Sequence, residues 1–277
     1  SSSTSSCGTW SNGSARAMRG ADRSRLVVLV YHAIADLADD PILARYSVPP
    51  DRFAEHLDYL SERGWSFVDL DQVLAAFDGG PPLPPRTVLL TFDDAYADLL
   101  HAACPVLSSR GIPAVAFAVA GQIGGSNVWD SRNGATSLDL LDGKGLREVS
   151  GQGIEIGAHT ATHRALTEVP AEELKGELDD AARLLEQAGI PRPRAFSYPY
   201  GHWNARVAAA VAEAGYEVAF TVDRGVAQNG ADLYALPRMA VHVDDTGRKL
   251  HMKLSAARLP GPVQGALRSL RGLRRRA

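Results

Sequence analysis

From residue 25 onward, short apolar runs rich in β-branched residues alternate with longer stretches whose apolar residues recur at helical spacing. A chain with this rhythm has few solutions open to it. Buried parallel strands need crossover helices to return the chain, so the pattern predicts βα units around a parallel sheet. The predicted strands are 26–31, 87–92, 114–119, 154–157, 195–198, 217–221 and 237–241. Between them, 51–63, 98–110, 171–188 and 204–214 carry helical patterns, as in Leu174, Leu178 and Leu185. Four of these stretches end alike, in Arg63-Gly64-Trp65, Arg110-Gly111-Ile112, Ala188-Gly189-Ile190 and Ala214-Gly215-Tyr216. Glycine at that place closes a helix in the left-handed conformation without a Cβ penalty. Beyond this rhythm there is no residue-level repeat.

At 277 residues and 45% hydrophobic content the chain can bury one large core, so a single domain is expected. A formal charge of -3 with 7% aromatic residues argues against a nucleic-acid surface, which would carry a positive excess. The two cysteines, Cys7 and Cys104, do not make a disulfide framework, and Cys104 reads as a small core residue. Residues 1–24 read as a disordered leader: the first twenty are rich in Ser and Gly and lack the apolar run of a secretory signal. On this sequence a cytoplasmic location is expected, or an extracytoplasmic one if an export signal has been removed; no segment has the length and apolarity of a membrane span. The catalytic domain is placed at 25–245 and a basic tail at 246–277. In that tail Leu267, Leu270 and Leu273 are interleaved with Arg268, Arg271 and Arg274 to Arg276. It reads as a solvated basic segment, with weak contact to an anionic membrane surface as the alternative. The Pro-rich stretch 79–85 is a rigid connection into the second predicted strand. The long Gly-rich segment 121–153, which contains Val128-Trp129-Asp130, is either a lid or cleft wall or a mobile insertion.

The second predicted strand ends in Thr91-Phe92-Asp93-Asp94, two carboxylates at the end where α/β enzymes place their sites. Their shared negative field needs a cation or a proton; the alternative is a solvated acidic turn. The fourth ends in His159-Thr160-Ala161-Thr162-His163. On a helical turn, imidazoles four positions apart face the same way, so both can meet one ion. With one carboxylate they leave open positions, which suits a catalytic metal rather than a structural one. Surface histidines are the dull reading, weakened by the ordered appearance of these motifs at strand ends. The fifth ends in Phe196-Ser197-Tyr198-Pro199-Tyr200-Gly201, a tight turn whose backbone N–H can act as an oxyanion donor.

These residues carry a resemblance. Thr91-Phe92-Asp93-Asp94, His159-Thr160-Ala161-Thr162-His163 and Ser197-Tyr198-Pro199-Tyr200-Gly201 resemble, in order, three motifs of the polysaccharide deacetylases of carbohydrate esterase family 4, over about residues 27–241. The resemblance implies an α/β fold, a distorted (β/α) barrel with about seven strands in one domain. It implies that Asp93 is the general base, that Asp94, His159 and His163 bind one divalent metal ion, and that the Tyr200 backbone N–H helps hold the oxyanion, with water bound to the ion as nucleophile. Zinc suits a mixed imidazole and carboxylate set, although nickel and cobalt also accept it. The chain departs from the family pattern in having Ser197 where the third motif has Arg, and in lacking a late Leu-x-His after Val241. Tyr31-His32-Ala33-Ile34 resembles the subgroup acting on poly-N-acetylglucosamine, which makes His32 the acid that protonates the leaving amine. His242 is its rival. Arg238, in Leu236-Pro237-Arg238, is the candidate for orienting Asp93, with a surface ion pair as its alternative. His56, His101, His202 and His251 are read as non-catalytic.

The activity implied is hydrolytic removal of N-acetyl groups from an N-acetylglucosamine-type sugar or polysaccharide. A small-molecule amide or imide hydrolase and an O-acetyl esterase stand as alternatives on the same scaffold. A non-catalytic carbohydrate-binding domain would have a broken base or metal triad, and both are intact. An acyl-enzyme route is disfavoured because Ser197 lacks a Gly-x-Ser-x-Gly elbow.

Overall fold

The structure is a computed structural model that describes residues 24–259. The expected leader, apart from Ser24, and the Arg-rich stretch 267–276 lie outside the described residues. In chain order the elements are β1 (Arg25–Tyr31), α1 (Pro50–Glu62), β2 (Ser66–Phe67), α2 (Leu70–Phe77), β3 (Thr87–Phe92), α3 (Cys104–Arg110), β4 (Ala114–Ala118), α4 (Val128–Ser131), α5 (Gly143–Gly151), β5 (Ile154–Ala158), α6 (Ala171–Gln187), β6 (Ala195–Ser197), α7 (Ala205–Glu213), β7 (Val218–Phe220), β8 (Ala227–Gln228), β9 (Met239–Ala240) and α8 (Gly247–Ala257). One curled sheet runs β7-β6-β5-β4-β3-β1-β8, with β2 added to β3 and β9 added to β1. All pairings are parallel except β1 with β8.

This is the expected distorted (β/α) barrel, and its closure is made by very little chain. Leu236 bridges Phe220 of β7, and three residues on, Met239 and Ala240 pair with Leu29 and Val30 of β1. The segment 236–241 therefore joins the two ends of the sheet. Continuous apolar strands are what such a sheet requires, because both faces are covered. Accordingly β3 and β4 are buried along their whole length. Leu26, Val28, Leu89, Val115, Phe117 and Phe220, from strands all round the sheet, form one cluster inside the barrel together with Leu70, Val73 and Ala76 of α2, which plugs its lower end. Val27, Leu29, Val88 and Leu90 point outward into a larger cluster with the surrounding helices.

The four glycines at the predicted helix ends all have positive φ, between 61° and 88°. At each, the residue after the glycine returns its N–H to a carbonyl five positions back, as Trp65 does to Leu60 and Ile190 to Leu185. Helix 98–110 differs from expectation in its first half: 99–103 is a π turn that passes into α3. The helix α8 corrects the expected tail boundary. Residues 247–257 pack on the domain: Leu250 and Leu254 are buried, and His251 accepts a hydrogen bond from Trp65 Nε1 at 3.1 Å. Among the described residues no helix is long and apolar enough to cross a membrane.

Candidate active site

The carboxyl ends of the strands converge on a cavity of about 400 Å³ lined by Asp93, Asp94, His159, His163, His32, Tyr200 and His242, among others. Every sequence-predicted site residue except Arg238 lies on its wall, and Arg238 stands directly behind Asp93.

Asp93 and Asp94 follow β3, where Asp93 N–H donates to Tyr31 O and so continues the ladder. Asp94 and Ala95 then adopt positive φ, 71° and 53°, which turns the two carboxylates apart. Asp93 faces a guanidinium and Asp94 faces imidazoles. Arg238 donates Nη1 to Asp93 Oδ1 and Nη2 to Asp93 Oδ2, both at 2.7 Å. Its other donors are also used: Nε to Thr221 O, Nη1 to Thr91 Oγ1 and Nη2 to Ser197 Oγ. A fully buried arginine with five such contacts is a fixed part of the site, so the surface-pair reading of Arg238 is set aside. Burial alone would raise the Asp93 carboxyl, but Arg238 and then His159 outweigh it and hold Asp93 well below the usual carboxylate range. Ser197 thus sits beside a guanidinium after all, one supplied by the closing segment.

His159 leaves β5 with Nδ1 2.7 Å from Ser197 O, which fixes that nitrogen as the donor and leaves the Nε2 lone pair facing Asp94. Burial depresses its pKa to about 4, so the ring is neutral. Nε2 of His159 and of His163 lie 3.7 and 3.3 Å from Asp94 Oδ1, which has no hydrogen-bond partner among the described residues. The three ligand atoms fall within 4.8 Å of one another. Two imidazole nitrogens and one orphaned carboxylate oxygen, all buried and aimed at one point, fit a divalent cation. The reason for the His-x-x-x-His convergence is, however, not the expected helical turn. Residues 159–163 form an irregular loop in which Thr160 and His163 have φ of 65° and 63°.

What holds that loop was not read from the sequence. Glu177, buried on α6, accepts from Ala161 N at 3.2 Å, from Thr162 N at 3.0 Å and from Thr162 Oγ1. Its signal was present: Glu177 interrupts the apolar stripe of Leu174, Leu178 and Ala181, where an acidic residue needs a partner. The His163 ring is fixed from two sides. Trp129 stacks on it at 4.2 Å between centroids, and Tyr200 meets its edge at 4.8 Å. Trp129 belongs to α4, so the 121–153 segment is a built cleft wall. Asp40 ties this wall to the β1–α1 connection, accepting from Thr136 N at 2.5 Å and from Leu43 N at 2.6 Å. Tyr200 has φ of 58° inside its turn, and its side chain is half exposed at the cavity mouth.

Register separates the two candidate acids. Tyr31 pairs with Phe92, so His32 stands beside Asp93. Val30 pairs with Ala240, so His242 is one strand further on. The Tyr46 ring lies between them, 5.4 Å from His32 and 5.7 Å from His242. The other histidines are elsewhere. His56 is buried between Tyr31 Oη and Asp245 O, and Cys104 is a core residue whose thiol burial pushes up to about 11.

A family model described as Polysaccharide deacetylase matches residues 80–219, half of the chain. The chain belongs to that family. As a member of it, this deacetylase-family chain is 26% identical over 218 residues to YxkH of Bacillus subtilis strain 168, covering 79% of this chain and 72% of that protein. It is 26% identical over 220 residues to the poly-beta-1,6-N-acetyl-D-glucosamine N-deacetylase of Staphylococcus epidermidis, covering 76% and 73%. The enzyme of the same name from Escherichia coli K12 is 26% identical over 78% of this chain, which spans 36% of that enzyme's length. Among solved structures, IcaB from Ammonifex degensii superposes with a TM-score of 0.71 at 26% identity, over 83% of this chain and 97% of that one.

Proposed function

We propose that this family member is a metal-dependent N-deacetylase acting on an N-acetylglucosamine-type sugar or polysaccharide, with Asp93 as base and His32 as acid. The observation that carries the reading is the division of labour between adjacent carboxylates: Asp93 is clamped by Arg238, and Asp94 joins His159 and His163 around a shared point. The named relatives that act on poly-β-1,6-N-acetylglucosamine support the substrate class.

Asp94, His159 and His163 would hold a divalent ion, zinc by donor type with nickel or cobalt admissible, and the ion would supply Lewis acidity toward the acetyl carbonyl and the attacking water. Everything else is done by the chain. Arg238 holds Asp93 ionised and aims both its oxygens, so an acceptor is always present, at the expense of basicity. Asp93 takes the water proton. The Tyr200 backbone N–H stabilises the oxyanion, and Trp129 and Tyr200 keep His163 from rotating. His32, whose Nδ1 is buried without a partner among the described residues, is free to deliver a proton to the departing nitrogen. Amines leave poorly unless protonated, so this step separates amide from ester cleavage.

The test is acetate release from N-acetylglucosamine oligomers after chelation and after return of zinc. Asp93→Asn should abolish release while metal content stays at wild-type level. His32→Ala should lose about a hundredfold or more on the amide substrate and far less on an acetyl ester of a good leaving alcohol. Release that survives full chelation, or an equal loss on both substrates, would refute the assignment.

A further inference from the structure

The cavity carries two cations that the chemistry above does not use. Arg45 and Arg224 both line it, and neither has a carboxylate within salt-bridge distance among the described residues. Their places in the fold are related. Arg238 N–H donates to Asp223 O on one side of the closing segment, and Val243 N–H donates to Arg45 O on the other. The backbone next to Arg224 and that of Arg45 are thus each tied to the stretch 238–243, and both side chains line the one cavity.

Acidic groups nearby are already engaged. Asp244 takes Lys249, and Asp245 takes Lys253 and the His242 N–H, while Asp223 is held by the neutral Trp203 Nε1 and makes no ion pair with Arg224 among the described residues. Arg45 is left with the His242 ring at 3.4 Å and the Tyr46 face at 5.9 Å, contacts that orient a guanidinium without neutralising it. Besides Asp93 and Asp94, the cavity wall carries the carboxylate of Asp130, on α4 next to Trp129. A neutral sugar can use the N–H donors of two unpaired guanidiniums but not their charge, whereas an oxyanion uses both, because planar forked donors match carboxylate and phosphate oxygens.

We propose that Arg45 and Arg224 form a binding site for an anionic group, a carboxylate or a phosphate ester, borne by the substrate next to the sugar that loses its acetyl. This rests on the deacetylase reading and narrows it to an acidic saccharide. The anion docks beside the closing segment, which directs the acetamido group toward Asp93 and the three metal ligands.

The experiment compares a neutral N-acetylglucosamine trimer with trimers carrying a carboxylate ether or a phosphate ester on the neighbouring residue, using the zinc-loaded full chain. The charged trimers should be favoured in kcat/KM on the order of tenfold at low salt, the size expected of one charge-assisted contact, with the advantage shrinking as salt is added. The Arg45→Gln/Arg224→Gln double variant should lose the preference, and the Lys/Lys counterpart should recover part of it. No preference in the wild type, or an undiminished one in the Gln variant, overturns the site. Calorimetric binding of the same trimers decides the point without turnover: tighter binding of a charged trimer to the wild type alone supports it, and equal binding overturns it. Failure of every trimer to release acetate would sink the deacetylase reading, with the calorimetric result still deciding the anion site.

Discussion

The Asp93–Arg238 pair and the Glu177 clamp are both buried carboxylate contacts, yet their loss would be felt differently. Asp93 has one strong cationic partner in its interior position, and removing the guanidinium would strand a charge. Glu177 instead gathers the backbone of the loop that carries His159 and His163, so under the proposed function it would act on metal binding through geometry. Glu177→Ala is therefore expected to weaken zinc affinity by about 10- to 100-fold, the range typical of outer partners of metal ligands. Competition with a chromogenic chelator would measure it. A variant that binds zinc as tightly as wild type would show that the loop keeps its shape without the clamp. His159 and His163 were legible from spacing and strand position. Glu177 was not read, because an acidic residue in an acidic amphipathic helix looks solvated until the packing direction is known.

Among the elements, the connection after β3 shows how a loop is made dependent on protonation. Asp98 starts the π turn and accepts from Ile34 N at 3.0 Å, joining the β3–α3 connection to the end of β1. Burial raises its pKa from 3.8 to about 6, the Ile34 N–H opposing the shift. The folded protein therefore holds this proton more tightly than the unfolded chain. The stability it contributes is complete below about pH 4 and is lost as pH rises through about 6. Asp98→Asn keeps the acceptor and removes the titration, so the variant should exceed wild type by about 1–2 kcal/mol above pH 7, less than the full shift because the neutral amide gives up the charge-assisted bond that ionised Asp98 accepts from Ile34 N–H. Urea unfolding at pH 5 and pH 8 would test it; a gap that does not widen with pH would remove the argument. The long strands and the main wrapping helices were visible as apolar periodicity. β2 and β8 have two residues each, too few for any period to register, whereas β9, equally short, falls inside the predicted strand 237–241.

At the scale of the whole molecule, α8 covers α1 next to the barrel's closing segment. Leu250 and Leu254 are buried, Gly247 N–H donates to Glu55 Oε1, and a Cβ at Gly247 would come within 2.6 Å of Tyr59. Leu254→Ala should cost about 2–4 kcal/mol, since a fully buried leucine leaves a cavity that helices relax into only partly. Equilibrium denaturation would show this, and a loss below about 0.5 kcal/mol would mean that α8 behaves as the peripheral tail its sequence resembled. The physical basis of that misreading is instructive: α8 has only two inward leucines among lysines and arginines, a pattern equally suited to solvent or to a neighbouring helix.

The sequence by itself determined the βα alternation, the strand-end carboxylates and the two strand-end histidines, because burial periodicity and strand termini are local properties of a chain. Only the tertiary structure decided that Arg238 reaches Asp93, that Ser197 serves both the guanidinium and His159, and that His32 rather than His242 neighbours Asp93. Those facts depend on which strand closes the barrel and in what register. Backbone hydrogen bonds between residues far apart in the chain set both, and local sequence does not record them.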